Sequence, residues 1–222
     1  MAKFYISINQ FAEFSEATES SKKRIIKQQK TPNKFLIPWY QKAKGAIKKF
    51  FTDTKDYSPI ENAIKELEAK VPINDRQRND RAASIQALEV MKKIKLPRIL
   101  SSLSYEVVTT DDKEIHINDV DVKIAPEIII KASYKNEIIY GAVKIHICKG
   151  KPFNHVQCSY VAALLYQHLT KKVIKKGERV LPELCLCLDV FAERLVPAPE
   201  NIAAVSSTIR IICGDIKRLW SA

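Results

Sequence analysis

The order of two textures constrains the fold of this 222-residue chain more than any other feature. Up to about Pro97 the apolar residues recur at helical spacing; from Ser104 to Lys149 they alternate in β-branched stretches. Those stretches are SYEVVTT, KEIHIN, VDVKIAPEIIIKASY and EIIYGAVKIHICK. Between them lie the turn signals Thr110-Asp111-Asp112, Asn118-Asp119 and Tyr134-Lys135-Asn136. The pattern predicts a meander of roughly three antiparallel strands. A helix follows from Asn154 to Thr170, then an apolar strand from Leu184 to Leu195 and a terminal helix from Glu200 to Trp220. A helix between strands is a crossover, so the last strand can lie parallel to one of the first three. The expected fold class is α+β or α/β, with a central mixed sheet of four or more strands flanked by helices and a helical region in front.

That front region reads as four helices. The first runs from Ser7 to about Lys30, and a second from Phe35 to Phe51 carries Ile37, Tyr40, Ile47, Phe50 and Phe51 as its apolar stripe. Ser58-Pro59-Ile60-Glu61 starts a third, with a cap, a proline at the first helical position and a capping-box glutamate. The fourth runs from Asp75 to about Lys95. The expected division is a basic helical region over residues 1–73 and an α/β core over 74–222. The net charge is +12, and 8 of those charges fall within residues 1–55. Lys23, Lys27 and Lys30 share one helical face, and YQKAKGAIKKFF forms a second cluster. Such crowding favours a polyanion. The competing readings are a solvated helix face or a basic adaptor that docks an acidic protein partner.

Several chemistries are excluded by what is missing. With 5 glycines the chain holds no GxGxxG and no GxxxxGK[ST], and it has neither GxSxG nor HExxH. Its 5 cysteines include no CxxC pair, and Cys185 and Cys187 alternate on one strand face, so reduced core thiols are expected rather than disulfides or zinc. No apolar run is long enough to span a bilayer, and the first residues lack the basic-then-apolar order of a secretion signal. The expectation is a soluble, cytoplasmic protein with no membrane partner; homo-oligomerisation stays open.

One segment keeps chemical interest. Pro126-Glu127 sits inside the third β-stretch, and Lys144 sits in Gly141-Ala142-Val143-Lys144-Ile145-His146 of the fourth. Seventeen positions separate Glu127 from Lys144, enough for two strands and a turn. The following helix opens with Gln157-Cys158-Ser159-Tyr160. Over residues 75–195 the chain resembles the PD-(D/E)XK nuclease superfamily, in its RecB-like branch. The resemblance implies a restriction-endonuclease-like core of helix, three strands, helix and strand. It further implies hydrolysis of DNA phosphodiesters with Mg²⁺ or Mn²⁺, because carboxylates on adjacent strands hold the metal and a lysine assists. Glu127, Lys144, Gln157 and Tyr160 match its catalytic positions, and Lys23, Lys27, Lys30, Lys149 and Lys151 would hold nucleic acid.

The match departs at one place. The second acid belongs two residues before the lysine, and Ala142 stands there. Either the acid has moved or the protein binds nucleic acid without cutting it. Candidate replacements are Glu89 on the preceding helix, Asp121 on the strand of Glu127, and His146 on the face of Lys144. The expected metal set is therefore Glu127, Asp121 and His146. On a straight strand Asp121 and Glu127 share a side but lie about 20 Å apart, so a common metal needs a bulge.

Overall fold

The computed structural model describes residues 4–32 and 39–221. The front of the chain runs β1 (Phe4–Ser7), α1 (Ile8–Ser15), α2 (Glu19–Lys30), α3 (Gln41–Phe50), α4 (Ser58–Ala69), α5 (Asp75–Met91) and α6 (Arg98–Ser102). The remainder runs β2 (Tyr105–Val108), β3 (Glu114–Ile117), β4 (Val120–Lys123), β5 (Ile128–Tyr134), β6 (Glu137–His146), α7 (His155–Lys172), β7 (Arg179–Asp189), β8 (Arg194–Pro197) and α8 (Ile202–Ser221). The fold is mixed α and β, with two mixed sheets. The larger has the order β2-β5-β6-β7-β8, and the smaller has the order β1-β4-β3.

In the larger sheet β2, β5 and β6 are antiparallel in turn, and β7 lies parallel to β6 after the α7 crossover. Apolar cores cover both faces. Phe11, Phe14, Leu164 and Ile216 belong to the core on the face of α1, α2, α7 and α8, whereas Ile47, Phe50, Ile64 and Leu88 belong to the one beneath α3, α4 and α5. Period-two alternation divides β6 between them: Tyr140 and Ala142 enter the first core, Ile139, Val143 and Ile145 the second. Lys144 and His146 have the parity of Ala142, and both are buried. The five cysteines are free thiols, and burial pushes that of Cys213 up to about 12.

Several elements differ from the sequence expectation. The first helix is two, because Thr18 accepts a hydrogen bond from Ser21 N and caps a new start. That break lets Phe11 and Phe14 on α1 and Ile25 and Ile26 on α2 reach the same core. A short strand, β1, precedes them and pairs in parallel with β4, so the chain's first described residues join the core's sheet system. The next helix is described from Gln41; the expected start at Phe35 lies outside the described residues. The single strand expected over VDVKIAPEIIIKASY is two strands in different sheets. Ile124-Ala125-Pro126-Glu127 connects them, with Ala125 at φ 39°. Pro126 has no N–H to give a ladder, and the left-handed Ala125 turns the chain from one sheet to the other. Ile124 N still donates to Lys113 O, whereas Glu127 N already donates to Val143 O. The last strand likewise divides into β7 and β8, joined by a turn at Val190–Glu193.

The register of β6 on β7 shifts between Tyr140 and Ala142. Gly141 lies at that shift, where an added Cβ would meet Leu184 Cβ at 2.4 Å and Leu184 O at 2.6 Å. We predict that Gly141→Ala costs about 2 kcal/mol in urea unfolding, as overpacking against backbone. Gly45→Ala in α3, where nothing lies within 4 Å, should instead stabilise by roughly 0.5–1 kcal/mol through helix propensity. Equal effects at the two positions would refute this account of the β6–β7 approach.

Candidate functional site

Glu127 enters the ladder one residue before β5. Its N–H donates to Val143 O at 3.1 Å, and Ile128 pairs with Val143, so the Glu127 side chain lies across from Lys144. Lys144 Nζ is 3.2 Å from Glu127 Oε1 and donates to Ile124 O at 3.1 Å and to Ala125 O at 2.8 Å. Each of the three ammonium protons thus has an acceptor. Ile145 N donates to Glu127 Oε2 at 2.9 Å. The two side chains are only 8% and 9% exposed. Burial pushes the Lys144 pKa down; Glu127 opposes that shift and Lys44 adds to it.

Lys44 is a third member that the motif reading did not single out. It comes from α3, and its Nζ lies 2.6 Å from the same Oε1. Ala43, Ala46, Ile47 and Phe50 bury the other side of α3, which aims Lys44 toward β5. One carboxylate therefore faces two ammonium groups, an excess of one positive charge. Lys48, one turn on, lines a cleft of about 390 Å³ with Gln41, Lys44, Gly45, Pro126 and Glu127. A second cleft of about 380 Å³ reaches Lys144 past Ser7, Asn9, Gln10, Gln29 and Lys123. The signal for Lys44 and Lys48 was their i, i+4 spacing within the basic cluster, but their proximity to Glu127 is a tertiary fact.

The other expected metal residues are distributed elsewhere. Ala142 is buried between Ile129 and Cys185 as a ladder neighbour of both. Glu89 pairs with Lys92 on the surface of α5. The placement of Asp121 on the strand of Glu127 is corrected: it lies on β4 of the smaller sheet, and its Oδ1 is 3.0 Å from His116 Nδ1. The kink at Ala125 and Pro126 separates the two acids. His146 shares the face of Lys144 but stacks on Phe153 at 3.6 Å between ring centroids, with Nε2 3.0 Å from Lys151 O. Its carboxylate neighbour is Asp189, 3.9 Å away. Asp189 in turn accepts hydrogen bonds from Phe153 N and Ala192 N. Among the described residues no group of three or more His, Cys, Asp or Glu side chains could hold a metal ion. At Glu127 the donor set does not fit a divalent cation, because it is one carboxylate whose oxygens already face two ammonium groups and an N–H.

The remaining expected residues lie away from Glu127 and Lys144, in other roles. Gln157 closes a capping box with Asn154, and its Nε2 donates to Ala12 O at 2.9 Å, tying α7 to α1. Tyr160 is half-buried and meets the Phe11 ring edge-on at 6.5 Å. Lys23, Lys27 and Lys30 do share a face; with Ile26 and Leu219 they line a groove, and Lys30 lies 6.0 Å from the Trp220 ring centroid. Lys149 and Lys151 are exposed in the turn after β6. No helix among the described residues is long and apolar enough to cross a membrane. No protein-family model matches the chain, and no curated protein matches it in sequence.

The three charges give an asymmetric stability prediction. Glu127→Ala strands two ammonium groups, one of them buried, and should cost about 3–5 kcal/mol. Lys144→Met leaves Glu127 with Lys44 and the Ile145 N–H, and should cost roughly 1–3 kcal/mol, a freed carbonyl-acceptor penalty. Chemical denaturation of both variants checks the order; a larger loss for Lys144→Met would contradict it.

Proposed function

We propose that the chain is a nucleic-acid-binding protein with a nuclease-like core, which grips the phosphate backbone without hydrolysing it. The observation that carries this reading is the charge balance at Glu127: two lysines on one carboxylate, opening into a cleft lined by Lys48. A partly buried excess of positive charge favours an anionic ligand, and phosphate oxygens supply one. The concentration of charge in residues 1–55 extends the same preference along α2 and α3.

The element order supports the nuclease-like part. A helix, three antiparallel strands, a crossover helix and a parallel strand are α5, β2, β5, β6, α7 and β7, with the β3–β4 hairpin inserted. The chemistry supports loss of hydrolysis. Ala142 gives no second carboxylate, and the one acid at the site among the described residues is already neutralised. Hydrolysis of DNA with Mg²⁺ or Mn²⁺ is the second reading, favoured by the pairing of Glu127 with Lys144 across adjacent strands.

Fluorescence anisotropy with labelled single-stranded and duplex DNA tests both readings. Binding should weaken linearly in log–log plots against salt, since each phosphate contact releases counterions. Lys48→Ala should make the duplex slope shallower by about 0.9. The labelled strands should remain intact in Mn²⁺. Metal-dependent cleavage that disappears in Glu127→Gln would establish the second reading instead, and absence of binding to either DNA would remove both.

A further inference from the structure

The mismatch between Glu127 and a metal site has a specific cause in this fold. Two positive side chains approach the carboxylate from different directions. Lys144 comes from the neighbouring strand and is fixed by the carbonyls of Ile124 and Ala125. Its position would be explained by those carbonyls alone, because they satisfy two of its three protons. Among the described residues Lys44 has no such second acceptor: its Nζ meets Glu127 Oε1 from the cleft side, with 37% of its side chain exposed. It lines the same open cleft as the carboxylate, so an ion entering that cleft meets its ammonium beside Glu127.

We infer that Lys44 is a built-in cation, whose ammonium takes the place at Glu127 that a divalent metal would need. The site is thereby closed to metal and presents ammonium protons to phosphate. Three physical points carry this. The tether keeps the ammonium at high effective concentration, so a millimolar ion competes with an intramolecular partner. Two adjacent unit charges repel an incoming divalent ion. Finally, Mg²⁺ and Mn²⁺ demand oxygen ligands, and the second strand position that should add one is Ala142. Removing the Lys44 charge should therefore release Glu127 to hold a metal weakly, since Lys144 keeps its carbonyl acceptors.

This rests on reading Glu127 and Lys144 as a nuclease-like site, but its test uses no nucleic acid, so the two can fail separately. Thermal unfolding of the full chain is recorded with 10 mM MnCl₂ and at matched ionic strength without it, for wild type, Lys44→Met, Glu127→Gln and the double variant. Wild type should respond to Mn²⁺ no more than Glu127→Gln does. Lys44→Met should gain a rise in Tm of roughly 2–5 °C, as expected of a millimolar site in a domain this size, and the double variant should not. Absence of that gain in Lys44→Met relative to the double variant would overturn the inference. Lys44→Gln serves if the methionine variant does not fold. The wild-type protein gives a further readout alone: water-proton relaxation during Mn²⁺ titration should show no bound ion attributable to Glu127. Stoichiometric enhancement lost in Glu127→Gln would overturn the inference.

Discussion

One carboxylate joins three separate parts of this molecule. Glu127 stands where the chain leaves the smaller sheet and enters the larger one, and it accepts from Lys144 and Ile145 N on β6. Lys144 in turn holds the carbonyls of the Ile124–Ala125 connector, and Lys44 brings α3 onto the same oxygen. The N–H groups of Ile124 and Ala125 donate to Lys113 O and that of Glu127 to Val143 O, while Pro126 has none to give. The Lys144 ammonium meets the carbonyls of Ile124 and Ala125, so side-chain charge completes the connector's hydrogen bonding. Burial makes the carboxylate the indispensable partner: its loss leaves the buried Lys144 ammonium without a counter-charge, whereas loss of one lysine leaves Glu127 with the other.

The same arrangement accounts for the functional reading. A nuclease of the resembled kind concentrates negative charge on its sheet and lets metal ions mediate with phosphate. Here the balance is inverted. The site holds one acid against two lysines, and α3 contributes Lys48 to the cleft beside them. Under the proposed reading a phosphate would meet ammonium groups directly, with no ion required to bridge like charges. The residues that position Lys44 are apolar: α3 packs through Ala43, Ile47 and Phe50, so its basic face is fixed by its buried one.

The sequence disclosed the sheet's central logic but not its joins. The β-branched stretches, the crossover helix and the period-two placement of Lys144 were legible because each depends on local pattern. Glu127 and Lys144 could be paired across strands from spacing and resemblance. The split between Asp121 and Glu127 was not legible, although Pro126 marked the spot, since a non-glycine residue gives no warning of positive φ. Four residues, Phe4 to Ser7, were too short to announce a strand, and parallel pairing with β4 comes from a partner more than 100 positions away. Lys44 stood out only as one charge in a basic cluster; its role depends on how α3 docks. Gln157, read from the motif, also caps α7 and holds α1, a structural role that its spacing did not announce.

The direct measurement of the central claim is an anomalous difference map from crystals soaked in MnCl₂. The account predicts the ammonium groups of Lys44 and Lys144 on one oxygen of Glu127 and no manganese peak within coordination distance of that carboxylate. A manganese peak on Glu127, with Lys44 swung away into the cleft, would contradict it.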